Sequence, residues 1–287
     1  IFGFSSIELV ENLMSISTDI EIIPAHVWTP WFGILGSIGG FDSLKECFQE
    51  KTKYIHAIET GISSDPKMNW RVPFLDNITL LSNSDSHSPH PHRLGREVNV
   101  FDLKKLTYKN IINAIRTRKG LEYTVETAPD YGKYHLDGHR NCNISMMPEE
   151  SKKHKNICPK CGKPLTIGVL NRVEELAERK DGYELKGAPS FKTLIPLTEL
   201  IALFVSQQVA TKKVWNIYSL LISHFKREFD ILLEADKTEL TKVVDERLAD
   251  LIIKNRKGKI KIIPGYDGVY GVPVLNDTKK NDLKKFF

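Results

Sequence analysis

Ile78-Thr79-Leu80-Leu81-Ser82-Asn83-Ser84-Asp85-Ser86-His87-Ser88-Pro89 is a short apolar run that ends abruptly in a polar cluster. A run of this length bounded by turn formers predicts a buried strand, with the polar residues in the loop at its carboxyl end. The same pattern occurs at Ile20-Glu21-Ile22-Ile23-Pro24 and at Tyr54-Ile55-His56-Ala57-Ile58. Between these runs, Asp42-Ser43-Leu44-Lys45-Glu46-Cys47-Phe48 opens with a capping residue and a first-turn Glu, the signature of a helix start. A further helix is predicted from Tyr108, with Ile111, Ile112, Ala114 and Ile115 on one face and a close at Gly120. Strands alternating with helices predict βα units around a parallel sheet, whose following loops gather on one face.

Working outward, residues 1–125 form this α/β region. Residues 126–188 read as a small module punctuated by Cys, Pro, Gly and Lys, and residues 189–287 as a helical domain with a short extended tail. In the last region Val214, Tyr218, Leu221, Ile222, Phe225 and Phe229 make one apolar stripe, and Leu240, Val244, Leu248 and Leu251 make another. The tail from Lys259 to Tyr266 alternates like a strand. No internal repeat is visible.

Composition restricts the function classes. With 41% hydrophobic and 27% charged residues among 287, the chain can bury a sizeable core, and its size favours more than one domain. No apolar run approaches the roughly 18 residues of a membrane span, since the most apolar stretch, Leu194 to Val205, is broken by Pro196, Thr198 and Glu199. A net charge of +5 is compatible with a polyanionic partner but does not require one. Three of the four cysteines fall in one window, which suits a metal site in a reducing cytoplasm better than a disulfide framework. The first residue is Ile1 and no signal peptide follows it, so further sequence is expected upstream.

Two constellations could carry chemistry. His26, Asp85 and His87 each follow a predicted strand on the same face, and Asp-X-His places two metal donors close together. The competing reading makes His87 part of a solvated His-Pro loop with His90 and His92, and His26 an ordinary satisfied polar residue. The second constellation pairs His139-X-X-Cys142 with Cys158-X-X-Cys161. Each pair can hold one edge of a tetrahedron, the arrangement of a structural zinc site closed to substrate. His135 and His154 are the other candidates for the histidine ligand.

The segments Pro24–Gly33, Glu59–Pro66 and Ser82–Pro89 together resemble endonuclease Q, a family of the polymerase and histidinol phosphatase (PHP) superfamily. The resemblance extends through Gly138–Cys142, Cys158–Lys163, Arg172–Ala177 and Pro264-Gly265-Tyr266-Asp267-Gly268-Val269-Tyr270-Gly271, and so covers nearly the whole chain. It implies a partial, distorted βα barrel of PHP type followed by the zinc-binding module and the helical domain. It also implies a trinuclear metal site and a nick made 5′ to uracil, hypoxanthine or an abasic site. His26 matches the family's third metal motif, and Asp85 with His87 the fourth, making these three the expected ligands of catalytic Zn2+, Mg2+ or Mn2+. Glu59 lies in a matching segment and faces either metal or substrate. The His-X-His motif that opens PHP proteins does not occur before Ile1, so residues 1–287 are expected to be inactive alone.

Cleaving beside a damaged base in a duplex requires drawing that base from the stack. Ser63, Ser64, Asp65, Asn69 and Trp70 are the expected contacts, against the alternative of a structural loop with a buried Trp. The expected partners are damaged DNA and a sliding clamp, with no membrane. Two rival functions are a PHP-type phosphoesterase acting on small phosphate monoesters and a metal-free DNA-binding repair subunit.

Overall fold

The computed structural model describes residues 3–275, a mixed α/β arrangement. Strands β1 (Ala57–Glu59) and β2 (Thr79–Leu81) form a parallel pair with Glu59 opposite Leu81, so both expected apolar runs end at the same edge. The expected strand at Ile20–Pro24 does not form. The chain there is extended, but Pro24 has no N–H to give to a ladder, and the segment meets β1 through Glu59 N to Pro24 O (3.0 Å), followed beyond it by Val27 N to Glu59 O (3.2 Å).

The second sheet departs from the expected parallel order. β3 (Val98–Phe101) and β4 (Leu121–Glu126) are antiparallel, and β4 pairs parallel with β7 (Ser190–Thr193). The reversal lies after the helix Tyr108–Thr117, which is capped by the Thr107 hydroxyl and ends at Arg118 with φ +63°. Gly120 then adopts φ +92°, and a Cβ there would lie 2.9 Å from Asp102 O. This turn carries the chain back along β3. Because β4 is central, one sheet draws on residues from before 126 and after 189.

Two smaller hairpins complete the strands: β5 (Asp137–His139) with β6 (Ile144–Met146), and β8 (Lys261–Ile263) with β9 (Val272–Val274). The expected tail strand is therefore present as β8.

The largest core packs Leu197, Leu200 and Ile201 of the helix Leu197–Val205 against Val214 and Leu221 of Lys212–Phe225, and Leu248 and Ile252 of Glu246–Arg256. The first expected stripe lies largely on the middle helix, with Phe229 packed just beyond its end. The second is split, with Leu240 on the helix Lys237–Thr241, Val244 in the bend that follows and Leu248 and Leu251 on the helix Glu246–Arg256, because Asp245 caps a new helix. A separate core under β1 contains Val27, Trp28, Leu44, Phe48 and Ile58, together with Val169 and Val173 of the helix Val169–Leu176. Arg172 of that helix fixes the contact by donating to Leu35 O (3.0 Å), Phe41 O (3.1 Å) and the Asp42 carboxylate (2.6 Å). Among the described residues, no helix is long and apolar enough to cross a membrane.

Candidate active site

Beyond the carboxyl ends of β1 and β2 lies a cleft of about 280 Å³, and His26, Glu59, Asp85 and His87 all line it. The parallel register accounts for this convergence, since residues following Glu59 and Leu81 leave the pair side by side. His26 turns into the cleft at φ +32°, its backbone N–H donating to Glu59 Oε1 at 3.0 Å. Gly61 lies against this turn, and a Cβ there would be 3.1 Å from both Cα and Cβ of His26. Asp85 also has positive φ (+45°). Non-glycine residues in this region carry strain that clusters at functional sites.

Asp85 Oδ1 and His87 Nε2 are 3.5 Å apart and largely exposed at the mouth of the cleft. His26 Nδ1, by contrast, is buried with no hydrogen-bond partner. A buried, unpartnered ring nitrogen of this kind calls for a bound group, and imidazole is a common metal ligand. The three donors therefore suit divalent cations, although they do not form a compact, complete coordination shell. Among the described residues the compact group of possible ligands lies elsewhere, in the Cys/His module.

Glu59 is buried below His26. Burial raises its carboxyl above the ordinary range, opposed by hydrogen bonds from the His26 backbone and the Asn83 amide. Asn83 is in turn held by Asn99 Nδ2 (3.0 Å), which also donates to Ser82 O (2.9 Å), so one residue of β3 fixes the loop carrying Asp85. Deeper still, Glu126 is fully buried and accepts from the hydroxyls of Thr60 (2.9 Å) and Thr124 (2.5 Å). Burial pushes it up to about 7. Glu97, raised first by burial and then by the Glu126 charge, accepts from Thr127 N at 3.1 Å.

Of the expected base-contacting residues, only Ser63 lines the cleft. Ser64 is buried and donates to Thr60 O (2.7 Å), and Asp65 caps the helix Pro66–Trp70 through Met68 N (2.9 Å). Asn69 accepts from Trp28 Nε1 (2.8 Å), which steadies a residue of the cleft floor from behind. Trp70 packs edge-on against Phe191 at 5.9 Å, a core contact. A helix start consumes the polar groups of this segment, which is why they are unavailable to the cleft.

The outer wall comes instead from residues that local reasoning missed: Phe32, Lys133, Tyr134 and Tyr270. Phe32 is 79% exposed. The Lys133 ammonium lies 5.4 Å from the Tyr134 ring centre and 5.9 Å from that of Tyr270. The available signals were the aromatic-basic cluster Tyr131-Gly132-Lys133-Tyr134 and the glycine-punctuated Pro264–Gly271 segment, but nothing local showed that they meet.

In the module, hairpin β5–β6 presents His139 and Cys142, and the turn closed by Gly162 N to Cys158 O (2.9 Å) presents Cys158 and Cys161. Their donor atoms all lie within 4.8 Å of one another. A tetrahedral zinc ion separates its S and N donors by about 3.3 to 3.8 Å, and Cys161 Sγ is 3.4 Å from His139 Nδ1. Burial raises the Cys158 thiol, but the backbone N–H groups of Lys160 and Cys161 and neighbouring side chains outweigh it and bring the thiol to about 6. It is thereby poised as the thiolate that binds metal. This group can hold a metal such as zinc. His135 instead faces Asp130 (3.3 Å), and His154 ends the helix Pro148–Lys153.

Residues 196–259 match the family model described as the MJ0043 C-terminal domain. The chain is 38% identical to the uncharacterized protein MJ0043 of Methanocaldococcus jannaschii over 252 residues, covering 86% of this chain and 31% of that protein. It is 29% identical to the uncharacterized protein YqxK of Bacillus subtilis, covering 87% of this chain and 59% of that one. The chain thus spans about a third and just under three fifths of these two relatives. Two solved structures superpose with TM-score 0.85 and 31% identity: the lesion-specific endonuclease PfuEndoQ from Pyrococcus furiosus, covering 99% of this chain and 70% of that one, and an endonuclease Q complex with a 27-mer duplex bearing an abasic lesion at the active site, covering 98% and 70%.

Proposed function

Because the chain belongs to the endonuclease Q family, we propose that it is part of a metal-dependent DNA-repair endonuclease. The reaction is hydrolysis of the phosphodiester 5′ to uracil, hypoxanthine or an abasic site. In this reading β1 and β2 belong to a PHP-type distorted βα barrel. The observation that carries it is the convergence of His26, Glu59, Asp85 and His87 on one cleft walled by aromatic and cationic side chains.

His26, Asp85 and His87 would hold the catalytic Zn2+, Mg2+ or Mn2+. Such cations, when bound, bring the pKa of water toward neutrality and offset charge on the phosphate. Glu59 orients His26 through its backbone N–H. Phe32, Tyr134 and Tyr270 offer apolar ring faces to a base removed from the stack, and Lys133 offers a cation to its phosphate. Ser63 remains a candidate contact to the base edge, whereas Ser64, Asp65, Asn69 and Trp70 act by shaping the floor. Zinc on His139, Cys142, Cys158 and Cys161 is structural, since four protein donors leave no open position.

Three donors cannot complete the coordination of several cations, so residues 1–287 alone bind damaged DNA without cleaving it efficiently. The test presents these residues with duplexes carrying uracil, hypoxanthine, an abasic site or no damage, and with a chromogenic phosphate monoester, using PfuEndoQ as reference. The expected result is preferential binding of damaged duplex, nicking far slower than by PfuEndoQ, and no monoester hydrolysis. Equal affinity for damaged and intact duplex, or turnover of the monoester, would overturn the proposal.

A further inference from the structure

The loop Pro264–Gly271 joins β8 to β9 and is fastened along its length to the outer wall of the cleft. Four backbone hydrogen bonds tie it to residues 130–136: Gly265 N to Asp130 O (2.8 Å), Leu136 N to Gly265 O (3.0 Å), Gly268 N to Lys133 O (2.8 Å) and Gly271 N to Tyr131 O (3.0 Å). The approach is too close for side chains. A Cβ at Gly265 would lie 2.4 Å from Gly132 O, and one at Gly271 2.1 Å from Asp130 O.

At the tip, Asp267 has φ +42° and accepts two hydrogen bonds, from Arg140 N (2.7 Å) and from the Thr166 hydroxyl (2.6 Å). Arg140 stands between the donors His139 and Cys142, and Thr166 exchanges backbone hydrogen bonds with Gly138. The Tyr266 hydroxyl adds a bond to Asn143 Oδ1 (2.7 Å). One end of the loop is therefore anchored on the Cys/His module. The other end places Tyr270 in the cleft wall, with Lys133 and Arg93 at 5.9 and 6.0 Å from its ring centre.

We infer that Tyr270 is a specificity-determining residue, stacking on an unpaired nucleotide at the lesion, and that Asp267 is its positioning residue, coupling the cleft wall to the metal-bound geometry of the Cys/His module. The stacking role rests on the DNA reading above; the coupling does not. An aromatic face supplies sequence-tolerant affinity for an unpaired base. The two neighbouring cations can flank the phosphate of the same nucleotide.

The coupling is read by hydrogen exchange on the full chain before and after zinc is chelated. Chelation should speed exchange of the Gly265, Gly268 and Gly271 amides by about ten-fold or more, as expected when a locally closed unit opens. Asp267→Ala should do the same with metal present, and Asp267→Asn, which keeps one acceptor and tolerates positive φ, should recover part of the protection. If chelation loosens residues 139–161 while these three amides stay protected, the coupling is wrong.

Stacking is read with 2-aminopurine placed opposite an abasic site, where it has no pairing partner. Its quenching should persist in Tyr270→Phe, vanish in Tyr270→Leu, and weaken in Asp267→Ala more than in Asp267→Asn. Full quenching in Tyr270→Leu would overturn the role of Tyr270. A protein with no preference for damaged duplex would remove both the endonuclease reading and the stacking role, and the exchange result would still decide the coupling.

Discussion

His26 and Asp85 show how much of a site is set by backbone rather than side-chain identity. Both occupy positive φ, and each such residue costs on the order of 1–3 kcal/mol that the surroundings must offset. Glu59 holds the His26 turn from below, and Gly61 leaves room for it. The buried pair Glu97 and Glu126 behind this frame carries a different cost. Glu126 is pushed up to about 7 from its ordinary 4.5, so the folded protein keeps a proton that the unfolded chain releases earlier. Stability therefore falls as pH rises from about 4.5 to about 7 and levels off above that. Glu126→Gln preserves shape and removes this contribution. Its melting temperature should exceed that of the unaltered protein at pH 8, with the gap closing toward pH 5. A gap of constant size across that range would contradict the assignment.

At the scale of elements, the helical core has a simple test. Leu200 is fully buried among the helices that follow residue 196, so Leu200→Ala should cost about 2–5 kcal/mol. This would appear as a lower urea midpoint with an unchanged slope, and an unchanged midpoint would show that the core is not cooperative there. What was legible at this scale was local. β1 and β2 declared themselves by an apolar run ending in polar residues, and the Cys/His module by its spacing. Ile20–Pro24 read as a strand, but it ends on a proline that cannot donate to a ladder, and the antiparallel return of β4 depends on Arg118 and Gly120, whose φ values no periodicity reveals. The cleft wall was the least legible part, because Lys133 and Tyr270 are adjacent only through the Pro264–Gly271 loop. Conversely, Ser64, Asp65 and Asn69 are near the cleft in sequence yet are used by the start of a short helix.

Across the whole molecule, one cleft brings together loops from β1 and β2, the segment before the Cys/His module and the loop between β8 and β9. The net charge of +5 is modest, so under the proposed function discrimination between damaged and intact DNA is assigned to the cleft rather than to general attraction. The measurement that bears most directly on this account is the affinity for an abasic and an intact duplex at fixed salt, with Mn2+ or with chelator, for the unaltered chain, His26→Ala and Asp85→Asn. Asn keeps the size of Asp85 and its tolerance of positive φ. Preference for the abasic duplex is expected to require the divalent cation and to be lost in both variants, while affinity for intact duplex hardly changes. A preference that survives chelation and both substitutions would place lesion recognition away from these side chains and contradict it.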